Sequence, residues 1–164
     1  MIKMSSFDKV SYETGSQFMS PSYNEIGWAC GSLVEMWKEL DFQFQLVVGI
    51  SRGGLIPGVI ISHLLQLPLE VVCYSSKDGA GDNKNHENQL PVLTASPMLI
   101  IDDISDTGKT LMEVRDYYTK HNVSVYTAAL YYKVNPTPEL FVPDFRWRRI
   151  PHDAGWVTFP WEKA

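Results

Sequence analysis

The 164-residue chain is poor in cysteine, with only Cys30 and Cys73. Both lie in apolar stretches at no metal-ligand spacing, which argues against a disulfide framework or a thiolate metal site and predicts buried, reduced thiols. No apolar run reaches membrane-spanning length, and the opening MIKMSSFDKV lacks the apolar core of a signal peptide. A cytoplasmic chain with no membrane partner is therefore expected. Basic residues are also scarce: 14 Lys and Arg against 19 Asp and Glu give a formal net charge of −5, with no long basic run. That balance argues against a nucleic-acid partner and leaves any anionic ligand to local cations, backbone amides or metal. No internal repeat is present. A hydrophobic content of 45% at this length fits one core, so residues 1–164 are expected to form a single domain.

The pattern along the chain alternates. Ser22 is a plausible cap for an amphipathic helix over 22–40, with Ile26, Leu33, Met36, Trp37 and Leu40 at helical spacing. LVVGI at 46–50 reads as a buried strand and LIPGVIISHLLQ as a helix with Pro57 in its tolerated first turn. Further strands are expected at 69–75, 97–101 and 124–132, and a helix at 107–120. Strands separated by helices imply βαβ units and a mostly parallel sheet, an α/β fold. Two segments break the alternation. Residues 76–89 are polar and rich in Gly, Asn and Asp, which predicts a mobile loop. From Pro136 to Ala164 prolines and tryptophans accumulate without helix periodicity, which predicts an irregular cap with short strands.

Residues 98–110, MLIIDDISDTGKT, are the most informative run. Four apolar residues drive a strand into the adjacent carboxylates Asp102 and Asp103, and Asp106-Thr107-Gly108-Lys109-Thr110 opens a helix. Such a loop aims backbone N–H groups, small hydroxyls and a positive dipole end at one place, which suits a phosphate monoester. The paired acids suit sugar hydroxyls or a divalent metal. A nucleoside-triphosphate P-loop is excluded, because the position five residues before the Gly-Lys pair is Asp103 where that motif needs glycine. The plainer reading of Asp106 is a helix N-cap. Ser51-Arg52-Gly53-Gly54 ends the first strand with two glycines, which permit either close approach to an anion or merely a tight turn. Lys133 closes the last strong strand and Trp156 follows it. A buried lysine needs an acceptor and an aromatic face a flat partner, while a snorkelling cation and a core aromatic are the alternatives.

IIDDISDTGKT resembles the phosphoribosyl-pyrophosphate (PRPP) signature of type I phosphoribosyltransferases. The order LYYKVNPTPELFVPDF…IPHDAGWVTFPWE is similar to the hypoxanthine-guanine and xanthine-guanine group, over roughly residues 22–162. The resemblance implies a twisted, mostly parallel sheet flanked by helices, a lid loop at about 76–89 and a small base-binding hood at about 136–164. It implies transfer of a 5-phosphoribosyl group from Mg²⁺-bound PRPP to a 6-oxopurine (guanine, xanthine or hypoxanthine), and a homo-oligomer, dimer or tetramer. By the same resemblance Asp102 and Asp103 bind the ribose and organise Mg²⁺, Asp106 to Thr110 hold the 5′-phosphate, and Asp106 is the general base. Ser51, Arg52, Gly53 and Gly54 would hold pyrophosphate, with a cis peptide at Arg52-Gly53. Lys133 would meet the 6-oxo group, Trp156 would stack on the base, the Val157 carbonyl would meet its 2-position, and Glu162 would help bind Mg²⁺. Family members continue beyond the acid matched by Glu162, often with an arginine that reaches pyrophosphate; Lys163, Lys77 or Lys84 are the candidates to replace it. The alternatives are a transferase for another base and a non-enzymatic regulator that senses PRPP. Such regulators usually add a nucleic-acid-binding region, and no helix-turn-helix extension or basic stripe is visible.

Overall fold

A computed structural model describes residues 19–75, 90–134 and 141–162. The expected lid at 76–89, with Lys77 and Lys84, lies outside the described residues, as do Lys163 and residues 136–140 of the expected hood. In chain order the elements are α1 (Tyr23–Glu39), β1 (Leu46–Ser51), α2 (Leu55–Leu65), β2 (Leu69–Cys73), β3 (Met98–Ser105), α3 (Lys109–Lys120), β4 (Val125–Val134), β5 (Phe145–Pro151) and a terminal 3-10 turn, Pro160–Glu162.

The five strands form one sheet in the order β2-β1-β3-β4-β5, and every neighbouring pair is parallel. Alternation along the strands splits the apolar residues into two cores. Val47, Leu99 and Ile101 face α1 and α2, whereas Val48, Ile50, Met98 and Ile100 face α3. Helices therefore cover both faces, as parallel crossovers demand. On α1, Ser22 and Glu25 form a capping box: the Ser22 hydroxyl accepts from the Glu25 amide at 3.2 Å and the Glu25 carboxylate accepts from the Ser22 amide at 2.8 Å. Ile26, Ala29, Cys30, Leu33, Val34 and Trp37 bury the opposite stripe. Each larger side chain there contributes about 1.5–3 kcal/mol of hydrophobic stabilisation.

Two elements differ from the sequence pattern. Strand β3 runs on past the apolar stretch through Asp102, Asp103 and Ser105, because Asp102, Ile104 and Ser105 remain paired with Ala129, Tyr131 and Tyr132 of β4. Backbone pairing there outweighs the polarity of the side chains. The C-terminal third is also more regular than expected, since FRWRRIP forms β5, the fifth strand of the main sheet. It lies at the edge, where the arginine stems of Arg146, Arg148 and Arg149 stay half-buried, so the usual apolar alternation is absent. Among the described residues the irregular parts of the hood are 141–144 and the stretch after Pro151.

Candidate active site

The strand order places a switch point between β1 and β3. The chain leaves β1 through α2 on one face and leaves β3 through α3 on the other, so a crevice opens above the carboxyl ends of the two central strands. A cavity of about 640 Å³ occupies that crevice. Its walls include Ser51, Arg52 and Gly53 from the end of β1, and Asp103, Ile104 and Asp106 from the end of β3. Lys133 comes from β4, and Trp156, Val157 and Glu162 from the C-terminal segment.

Close approach governs the floor. The turn after β1 closes with the Gly54 amide donating to the Ile50 carbonyl at 2.8 Å. A Cβ at Gly53 would collide with the Asp103 carboxylate, and one at Gly54 would strike the Ile101 carbonyl oxygen. Both glycines are thus required by contact with β3 rather than by a special backbone angle. The non-proline cis peptide lies at Ser51-Arg52, one bond earlier than expected at Arg52-Gly53, where β1 passes into this turn.

Asp103 is buried and Asp102 half-buried. Withdrawal from water raises the Asp103 carboxyl to about 6, offset in part by the Ile104 amide that donates to it at 2.7 Å and reinforced by the charge of Glu162. Withdrawal from water and then the Asp103 charge push Asp102 well above the usual carboxylate range. Two acids crowded in this way are short of positive charge. Among the described residues no cluster of three or more His, Cys, Asp or Glu side chains could hold a metal by itself. One or two carboxylates with the remaining positions left to ligand oxygens and water is the donor set that suits Mg²⁺, so the residues present fit that ion. Glu162 caps the terminal turn, its carboxylate accepting from the Phe159 amide at 2.9 Å.

Asp106 does not cap α3. The N-cap is Gly108, at φ 76° and without a side-chain cap bond, while Thr107 Oγ1 accepts from the Lys109 amide at 3.3 Å. The Asp106 carboxylate instead accepts from Lys133 Nζ at 3.3 Å. The Lys133 side chain is only 11% exposed, so the reading as a snorkelling cation is set aside in favour of a buried, paired one.

Trp156 is 62% exposed and lines the cavity, which sets aside the core-aromatic reading. Behind it Val157 is buried and bridges Met19 in parallel, with the Thr158 amide donating to the Met19 carbonyl at 2.9 Å. Phe159 and Trp161 stack with ring centroids 4.9 Å apart and fix the segment against Tyr131.

Not every expected residue reaches the cavity. Asp102, Gly54 and the run Thr107, Gly108, Lys109 and Thr110 lie outside its walls. Gly108 is buried against Phe141, whose backbone oxygen leaves no room for a Cβ. The first turn of α3 thus lies beside this cavity and not in its wall. Cys73, Tyr74, Ser75 and Ile104 line the cavity without having been singled out as ligand contacts. Ile104 was hidden among strand residues of the same type. Tyr74 and Ser75 follow the register of β2 on β1, since Cys73 pairs with Ser51.

No described helix is long and apolar enough to cross a membrane. A model of the phosphoribosyl transferase domain matches residues 28–162. The fold is similar to a purine phosphoribosyltransferase from Pyrococcus horikoshii Ot3, at 30% identity and TM-score 0.69, covering 89% of this chain and 95% of that one. It is also similar to the Helicobacter pylori xanthine-guanine-hypoxanthine phosphoribosyltransferase, at 20% identity and TM-score 0.69 over 89% and 94% of the two chains. A hypoxanthine-guanine phosphoribosyltransferase from Bacillus anthracis matches at 13% identity and TM-score 0.61 over 84% of each chain. With a matched domain spanning most of its length and a five-stranded parallel sheet of the type I form, this chain belongs to the phosphoribosyltransferase family.

Proposed function

We propose that this phosphoribosyltransferase transfers the 5-phosphoribosyl group of PRPP to a 6-oxopurine, giving a nucleoside 5′-monophosphate and pyrophosphate for purine salvage. The observation that carries this reading is the meeting of Arg52, Asp103, Asp106, Lys133, Trp156 and Glu162 in one cavity, although they lie far apart in sequence. The reaction breaks the bond from the anomeric carbon to the pyrophosphate oxygen and forms a bond from that carbon to a purine ring nitrogen. Positive charge grows on the sugar and negative charge on the leaving group, so fixed charges aimed at both ends supply most of the catalysis.

Each residue then has a task. Asp103, with Asp102 next to it at the edge of the cavity wall, accepts hydrogen bonds from the ribose hydroxyls and offsets the developing cation. Thr107 to Thr110 hold the 5′-phosphate at the first turn of α3, where backbone amides and the helix dipole favour an anion. Ser51 to Gly54 hold the pyrophosphate, with Arg52 supplying charge. Asp103 and Glu162, with Asp102 behind them, would hold Mg²⁺, which when bound neutralises pyrophosphate oxygens. Asp106 accepts the imidazole proton as the glycosidic bond forms. Lys133 donates to the 6-oxo oxygen, Trp156 covers one face of the base and the Val157 carbonyl meets its 2-position.

The test is incubation with Mg²⁺, PRPP and each of guanine, hypoxanthine, xanthine and adenine, following nucleotide formation by chromatography. Turnover of at least one 6-oxopurine with weaker use of adenine is expected. Turnover of adenine alone, or tight PRPP binding without transfer to any base, would overturn the assignment.

A further inference from the structure

The two turns assigned to phosphate groups are carried by helices on opposite faces of the sheet: Ser51–Gly54 leads into α2 and Thr107–Thr110 into α3. A ligand with an anion at each end needs these turns held at one separation. Tyr74 bridges the two regions. It follows Cys73, the register partner of Ser51; it lines the cavity and packs against the core on the α3 face. Its hydroxyl donates to the Glu113 carboxylate at 3.0 Å, across 39 residues of sequence. Glu113 stands on α3 one turn beyond Lys109. Partial burial and the Glu113 acceptor both raise the Tyr74 phenol, so it keeps its proton as donor throughout the neutral range.

We propose that Tyr74, held by Glu113, is a positioning residue that sets the distance between the pyrophosphate turn and the 5′-phosphate turn. It thereby selects ligands phosphorylated at both ends of the sugar over those phosphorylated at one. The inference rests on the transferase reading above. A ligand with one anion adjusts to a displaced turn, whereas a ligand bound at both turns must strain or surrender one contact.

Tyr74→Phe retains the ring and removes the donor. It is expected to raise KM for PRPP roughly five- to tenfold, as for one lost hydrogen bond of ordinary net strength, by more than any change in kcat. Binding of inorganic pyrophosphate alone, and of a nucleoside monophosphate alone, changes by less than about twofold on the same basis. Glu113→Gln, whose amide oxygen still accepts, retains most PRPP affinity. Glu113→Ala matches Tyr74→Phe, and the double variant is no worse than either single one. Equal weakening of all three ligands together with a lower Tm would mark a purely structural contact and overturn the proposal, as would an unchanged KM. If the wild-type protein makes no nucleotide from any base, the transferase reading fails by itself. Calorimetric titration of PRPP into wild type and Tyr74→Phe then still decides the positioning role.

Discussion

Lys133 Nζ lies 3.3 Å from the Asp106 carboxylate, joining the end of β4 to the loop after β3 inside the cavity. The pair couples the proposed recognition of the base to the proposed proton transfer. A base entering the slot must offer Lys133 an acceptor and Asp106 a proton, so a carbonyl beside an imidazole N–H replaces both halves of the contact at once.

Asp106→Asn removes the proton acceptor while keeping shape and a hydrogen bond to Lys133. In steady-state assays kcat is expected to fall by roughly 10² to 10⁴ with little change in KM for PRPP. Near-normal turnover would rule out the role.

Lys133→Met keeps the stem and removes the donor. Capture of guanine or hypoxanthine, read as kcat/KM, is expected to weaken by about 1.5–3 kcal/mol, the range for a charge-assisted hydrogen bond. Adenine use is spared, since a 6-amino group offers no acceptor. Parallel loss with all bases, tracking a loss of folded protein, would point to a packing role.

Gly53→Ala tests the contact between β1 and β3. The added methyl meets the Asp103 carboxylate, which must move. An overpacking cost of about 1–3 kcal/mol is expected in chemical denaturation, together with loss of activity out of proportion to the unfolded fraction. Full activity in this variant would show that the Asp103 position is not critical.

The acid pair ties stability to pH and, on the proposed reading, to Mg²⁺. Burial raises the Asp103 carboxyl from its ordinary 3.8 to about 6, so the folded chain binds the proton more tightly than the unfolded one. Its contribution to stability is complete below about pH 4 and is lost as pH rises through about 6, on the order of 1–3 kcal/mol. In metal-free melts Asp103→Asn is expected to flatten this slope and to exceed wild type in Tm at pH 8. Adding Mg²⁺ at pH 8 raises the wild-type Tm, by ligand linkage, and leaves the variant nearly unmoved. An equal response in both proteins would place the ion elsewhere.

Glu162→Gln preserves an acceptor for the Phe159 amide and therefore the terminal turn, but weakens the charge offered to metal. A higher Mg²⁺ requirement and slower turnover at unchanged Tm are expected in a metal titration of activity. Removing residues 156–164 goes further and abolishes base binding, because Trp156 leaves with Glu162.

Much of this was legible because each signal had a local cause. Periodicity marked α1, apolar runs marked β1, β3 and β4, and the Gly53-Gly54 pair announced a turn pressed against another backbone. The ends of β3 and the whole of β5 were obscured, since a strand paired by backbone bonds tolerates Asp102, Asp103 and three arginines that no apolar pattern accommodates. Asp106 was ambiguous by type alone: a cap and a free carboxylate look the same until Lys133 is found beside it. Tyr74 and Ile104 could not be read as cavity residues, because their place depends on which strand lies next to which.

The bridge between Met19 and Val157 has a bearing on how the protein matures. It joins residues from near the two ends of the described chain, so its formation carries one of the largest loop-closure entropies in the molecule. The turn after β1 meets β3 across a shorter stretch of chain, so its closure costs less. During refolding the β1–β3 crevice can therefore assemble ahead of the Trp156 segment, and the two halves of the cavity are completed in that order.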